Sequence, residues 1–133
     1  MTDCVFCELI NGELPSFRVY EDEDYFAFLD INPLNQGHTM VIPKRHVRWV
    51  WDVEDFGSYL EKVKKIALGL KNAMETDWVM MEAVGIDIPH AHIHIVPRYQ
   101  GDGHGGHLDP KNIKKIPENK MKAIADKITK AIK

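Results

Sequence analysis

Long apolar runs are missing from this chain: nothing approaches the roughly 20 consecutive apolar residues of a membrane-spanning helix. That excludes a helical membrane span, and no membrane partner is expected. A surplus of basic residues is missing too. Seventeen Lys and Arg stand against 20 Asp and Glu, a formal net charge of −3. A general nucleic-acid binder needs excess cations facing the phosphates, so that class is excluded as well. Cysteine is scarce, with only Cys4 and Cys7, in "CVFC". The opening "MTDCVFCELI" lacks the basic flank and long apolar stretch of a signal peptide. A cytoplasmic location is therefore expected, where a structural disulfide is not. The cysteines are then a redox pair, half of a metal site, or neither.

What is present is an ordinary globular composition, 44% hydrophobic and 28% charged over 133 residues. This fits one domain over 1–133, with a core over about 4–100 and a C-terminal loop and helix over 101–133. The late lysines of "KNIKKIPENKMKAIADKITKAIK" are spaced as a solvated helix face. Met121, Ile124, Ile128 and Ile132 form its buried stripe, and Pro117 suits its first turn.

Periodicity supplies the other elements. A short helical turn around "CELIN" is stopped by Gly12. "FRVYE" and "YFAFLDI" read as strands around the acidic turn "DED", and "HTMVIP", closed by Pro43, as another. Residues 53–75 carry Phe56, Leu60, Val63, Ile66, Ala67, Leu70 and Met74 at three- and four-residue steps, with Asp52 as N-cap. "WVMMEAV" and "HAHIHIV" read as two further strands joined by "GIDIP". The predicted class is α+β: an antiparallel sheet of about five strands, one long helix packed on it, and a C-terminal helix.

The stretch "PHAHIHIVPR" carries the chemistry. In a strand, His90, His92 and His94 share one face, roughly 6.5–7 Å apart at Cα, while Ala91, Ile93 and Ile95 face the core. Three imidazoles in strict alternation point either to a metal centre or to phosphate chemistry. In the latter, one ring attacks phosphorus and its neighbours donate to the oxygens.

"HAHIHIV" fits His-φ-His-φ-His-φ-φ, with φ apolar, and so resembles the histidine triad (HIT) family of nucleotide hydrolases and transferases. The agreement extends over about residues 4–100, through "CVFCELINGELPSFRVYEDEDYFAFLDINPLNQGHTMVIPKRH". The resemblance implies a HIT-like fold and a nucleotidyl hydrolase acting at the α-phosphate of a purine nucleotide. His92 would be the nucleophile, with its other ring nitrogen held by a backbone carbonyl. His94 and His38 would lie beside the phosphate. Val5, Phe6, Leu9, Phe28, Leu29 and Ile31 would form the base and ribose pocket, and Asp30 would accept from the ribose hydroxyls. It also implies a homodimer formed by joining sheets. The zinc-containing, Hint-like branches place a structural zinc on a set matching Cys4, Cys7, His46 and His90.

One departure is plain. Many relatives carry Gly-Gln-Ser or Gly-Gln-Thr before the triad, where this chain has Gly85, Ile86 and Asp87. An ionised Asp87 would repel phosphate, so the leaving group is left open. A nucleoside phosphoramidate is the first expectation and a dinucleoside polyphosphate the second. A nucleotide-binding module without turnover and a hydrolase using a catalytic metal are the competing classes. His104 and His107, in "GDGHGGHLDP", read as mobile loop residues, and Trp49 and Trp51 as packing under the long helix or at a subunit contact.

Overall fold

A computed structural model describes residues 4–132; residues 1–3 and 133 of the expected unit lie outside the described residues. Five strands form one antiparallel sheet: β1 (Arg18–Glu21), β2 (Tyr25–Leu29), β3 (Thr39–Pro43), β4 (Val79–Glu82) and β5 (Ile93–Pro97). Their spatial order is β1-β2-β3-β5-β4, so β5 arrives last and pairs between β3 and β4. The expected class and strand count hold.

Both faces of the sheet centre are covered, which explains why β2 reads "YFAFL" without polar alternation. Tyr25, Ala27 and Leu29 point into the main core with Val41, Ile93 and Ile95. Phe26 and Phe28 point the other way and pack with Phe6, Met40 and Ile42. Phe6 belongs to α1 (Val5–Ile10), whose N-cap is Cys4. Gly12, at φ +78°, follows the helix end in the left-handed region that glycine tolerates.

The main core lies under α2 (Phe56–Met74), which buries Tyr59, Val63, Ile66, Leu70 and Ala73. Tyr59 anchors the helix by donating from its hydroxyl to the Val41 carbonyl at 2.6 Å. The N-cap is Asp55, accepting from the Ser58 N–H, three residues later than expected. Asp52 is used elsewhere: it closes a 3-10 turn (Val50–Asp52) and accepts from the Trp49 N–H at 3.1 Å. The C-terminal helix α3 (Glu118–Ala131) buries Met121, Ile124, Ala125 and Ile128, with Ile132 partly buried beyond it. Pro117 is its N-cap rather than part of its first turn.

Two other expectations are corrected. Of the two alternatives expected for Trp49 and Trp51, burial under α2 is the one overturned. Trp51 is 79% exposed and meets Phe56 at 5.4 Å between centroids, while Trp49 lies between the Arg48 guanidinium, 3.6 Å over its ring, and Gly85. The strand "HAHIHIV" begins only at Ile93. Pro89 removes a donor, and the Ala91 N–H bonds the Val47 carbonyl at 2.8 Å, outside the ladder. Among the described residues no helix is long and apolar enough to cross a membrane.

Candidate functional site

The face of the sheet opposite α2 collects the histidines. His94 leaves β5 on this face, paired across the ladder with Met40 of β3. The His92 ring lies 5.0 Å from that of His94, and Phe6 presents an edge to both His92 (5.2 Å) and His90 (5.7 Å). The three rings thus stay on one side although only one is in the strand.

Hydrogen bonds fix the tautomers. The His92 Nδ1–H donates to the His90 carbonyl at 2.8 Å. In the neutral ring Nε2 then carries the lone pair, the tautomer a nucleophilic imidazole requires. His92 is 6% exposed, so the ring has little freedom.

A second chain starts at the turn before β3. The Leu34 N–H donates to His38 Nδ1 at 3.0 Å, so the neutral His38 ring carries its proton on Nε2. That N–H donates to His94 Nδ1 at 2.9 Å. His94 in turn must carry its proton on Nε2, as a donor. Burial lowers His38 to about 4, with His104 adding to the effect. It lowers His94 to about 4, helped by His38 and His92. Both rings are therefore neutral donors at pH 7.

Asp30 stands at the end of β2 with its Oδ2 3.6 Å from His38 Nε2, and its Oδ1 accepts from the Asn32 N–H at 2.8 Å. Burial raises its pKa. Asp30, His38 and His94 lie close enough to hold an ion. The proton that Leu34 forces onto His38 Nε2 occupies the lone pair an ion would need, so these groups suit hydrogen bonding rather than ligation.

Cys4, Cys7, His46 and His90 behave differently. Their donor atoms all lie within 4.8 Å of one another. Cys4 Sγ is 3.3 Å from His90 Nδ1, and Cys7 Sγ is 3.3 Å from His46 Nδ1 and 3.6 Å from His90 Nδ1. For bonds of about 2.3 Å to sulfur and 2.0–2.1 Å to nitrogen, the edges of a tetrahedron come to roughly 3.3–3.8 Å. His90 Nε2 donates to the Pro43 carbonyl at 2.8 Å, which turns the Nδ1 lone pair toward the thiols. A Cys₂His₂ set in this geometry fits zinc with no open position.

The residues expected to hold a nucleotide divide. Phe6 and Phe28 meet edge to face at 5.5 Å beside His92. Val5 and Ile31 are exposed, Ile31 at 74%, and Leu9 is half-buried. Leu29 is turned away: its side chain is 1% exposed and sits in the α2-facing core. Gly85, at φ +76°, accepts from Arg48 Nη1 at 2.7 Å and lines, with His92 and Trp49, a narrow cavity of about 50 Å³. Asp87 is exposed.

Sequence reasoning missed the residues behind the site. His104 is not a mobile loop side chain. Its Nε2–H donates to the Leu34 carbonyl at 2.8 Å, and its Nδ1 accepts from the Asp109 N–H at 2.9 Å. His107 is exposed. Arg98, fully buried after β5, donates to Asp102 (2.8 Å) and to the Gly105 carbonyl (2.7 Å). It holds the Asp102 carboxyl well below the usual range. An arginine following "HIVP" was the only signal available for this pair.

The profile of the HIT domain matches residues 11–101. An uncharacterized HIT-like protein of Borreliella burgdorferi is 43% identical over 114 residues, covering 79% of this chain and 82% of its own length. The adenylylsulfatase HINT3 of Arabidopsis thaliana is 36% identical over 107 residues, 75% of this chain and 54% of that protein. Among solved structures, a HIT-like protein of Bartonella henselae superposes with a TM-score of 0.81 at 34% identity, covering 97% of this chain and 96% of that one. A zinc-bound histidine triad family protein of Mycobacterium smegmatis gives 0.78 at 28% identity, covering 98% and 93%. With the sheet that carries the triad superposing on these structures and the family profile spanning it, the chain belongs to the HIT family.

Proposed function

We propose that this protein is a nucleotidyl hydrolase that releases a substituent from the α-phosphate of a purine nucleotide, with an amine as leaving group. The observation that carries the reading is the His92 Nδ1–H bonded to the His90 carbonyl, which fixes the ring and, in its neutral form, puts the lone pair on Nε2. Nε2 attacks phosphorus, a P–N bond forms, and the leaving amine departs with its bonding pair and takes a proton from water. The His90 carbonyl stabilises the charged ring of the nucleotidyl-histidine. Water then attacks phosphorus and returns the electron pair to Nε2, giving a nucleoside monophosphate. His94, fed by His38, donates from Nε2 to a phosphate oxygen as charge develops. Phe6, Phe28, Val5, Leu9 and Ile31 cover the base, and Asp30 accepts from the ribose hydroxyls. Leu29 contributes only its backbone.

Zinc on Cys4, Cys7, His46 and His90 is structural in this reading, as in the Hint-like branch. Bound there, it ties α1 to the end of β3 and to the segment entering β5. The zinc-bound mycobacterial neighbour supports the assignment. Residues 1–133 act as one unit in the cytoplasm, where the thiols stay reduced. Two copies pair through β4, an edge strand with Met81 exposed beside the exposed Trp78.

The direct test is turnover of adenosine phosphoramidate by wild type and His92→Ala. Loss of at least ~10³-fold in kcat, with the AMP adduct trapped on the wild-type chain alone, is expected for removal of a covalent nucleophile. Normal cleavage by the variant would refute the mechanism. Binding of AMP without turnover by the wild type would instead favour a module that only binds.

A further inference from the structure

The turn between β2 and β3 is held from two sides. On the inner side the Leu34 N–H bonds His38 Nδ1. On the outer side the Leu34 carbonyl accepts from His104 Nε2 at 2.8 Å and from Lys114 Nζ at 3.1 Å. The holding loop is itself anchored. Lys114 Nζ also donates to the Asp102 carbonyl at 2.8 Å, and the Lys114 N–H bonds the Pro33 carbonyl at 2.7 Å. Asn35 Nδ2 reaches both Asp102 Oδ2 (2.9 Å) and the Pro97 carbonyl (2.8 Å), tying the turn to the end of β5. His104 and Lys114 lie beyond residues 11–101, the stretch the family profile covers.

Both nitrogens of His104 are engaged, one on Leu34 and one on Asp109, so neither is offered to a substrate. Its place in the molecule makes sense as a support. We propose that His104, with Lys114, is a positioning residue: by clamping the Leu34 carbonyl it keeps the Leu34 N–H on His38 Nδ1, and so sets His94 as a donor toward the reaction site. If the clamp is released, the turn can rotate and Leu34 no longer dictates the His38 tautomer. His38 then populates the Nδ1–H form, whose bare Nε2 accepts from His94 Nδ1–H. That leaves His94 Nε2 with a lone pair where an N–H was needed. The role of this donor in turnover rests on the proposed function; the tautomer arrangement does not.

The test is ¹⁵N NMR of the imidazoles in the nucleotide-free protein, with kinetics alongside. His104→Phe keeps the ring volume and removes both hydrogen bonds, His104→Gln restores a donor to Leu34, and His107→Ala is the exposed-loop control. In wild type, His94 Nε2 and His38 Nε2 should give protonated, pyrrole-type shifts. In His104→Phe both should move toward the unprotonated type, with kcat down about three- to tenfold, as for loss of one ordinary hydrogen bond, and KM within about twofold. His104→Gln should recover both readouts. If His104→Phe does not fold, Lys114→Met serves in its place. Unchanged shifts in the folded variant overturn the proposal, and so does failure of His104→Gln to restore them. A wild type with no turnover overturns the proposed function while the shifts still decide the clamp.

Discussion

Acid should weaken this fold through two rings that stay neutral when folded. His38 and His94 titrate near 4 in the native state, mainly because burial penalises the charged ring. In the unfolded chain each returns to about 6.5. Between those values the unfolded state binds protons that the folded state refuses, so stability falls as pH drops from about 6.5 and levels off below about 4. At pH 5 the difference is about 2 kcal/mol for each ring. The rings share one hydrogen bond and titrate together, so the pair is worth about 2–4 kcal/mol rather than a strict sum. Against a total of about 5–15 kcal/mol for a small domain, that is a large fraction. Urea unfolding should be followed in steps from pH 8 to pH 5 for wild type and the double variant His38→Asn/His94→Asn. Carboxylates other than the adjacent Asp30, and the Cys/His cluster, contribute to both curves and cancel in the difference. The variant should lose about 2–4 kcal/mol less than wild type across the window. Parallel curves would show that the rings are not held neutral, and the tautomer argument would fall with them.

Three other outcomes follow from the geometry. One zinc per chain should be found by atomic emission, and Cys4→Ser or His46→Ala should lose it and lower Tm, with activity and fold failing together. Retained activity in a zinc-free folded protein would contradict a structural role. Leu29→Ala should cost about 2–5 kcal/mol in denaturant melts and leave AMP affinity within about twofold, whereas Phe28→Ala should weaken AMP binding as well, as calorimetric titration can show. Arg98→Leu takes the paired cation from the Asp102 carboxylate, leaving it the neutral donors of Asn35, Tyr99 and His104. It should destabilise by about 3–5 kcal/mol, with part of that recovered in the double variant carrying Asp102→Asn.

Much of the fold was legible because alternation survives in the strands. The core-facing Ile93 and Ile95 against the outward His94 could be read directly, as could the stripe of α3. β2 hid its two faces, since Phe28 and Leu29 are equally apolar and only the covering elements reveal which faces the site. That ambiguity placed the Leu29 side chain in the pocket. The α2 boundary slipped because "DVED" offers two capping carboxylates, and local sequence does not say which a 3-10 turn will take. His104 was illegible for a different reason. Its partner Leu34 lies 70 positions earlier in the chain, and no periodicity joins a glycine-rich loop to a distant turn.

The placement of β5 has a consequence for how this protein is made. The strand enters between β3 and β4, so the centre of the sheet stays open until residue 97 has been synthesised. Until then Met40 and Val41 have no partner on that edge, and the core under α2 lacks Ile93 and Ile95. A nascent or proteolysed chain ending before residue 90 carries an adhesive half-sheet and lacks His90, His92 and His94. Truncation ahead of β5 therefore removes the histidine row and bares the β3 edge in one step.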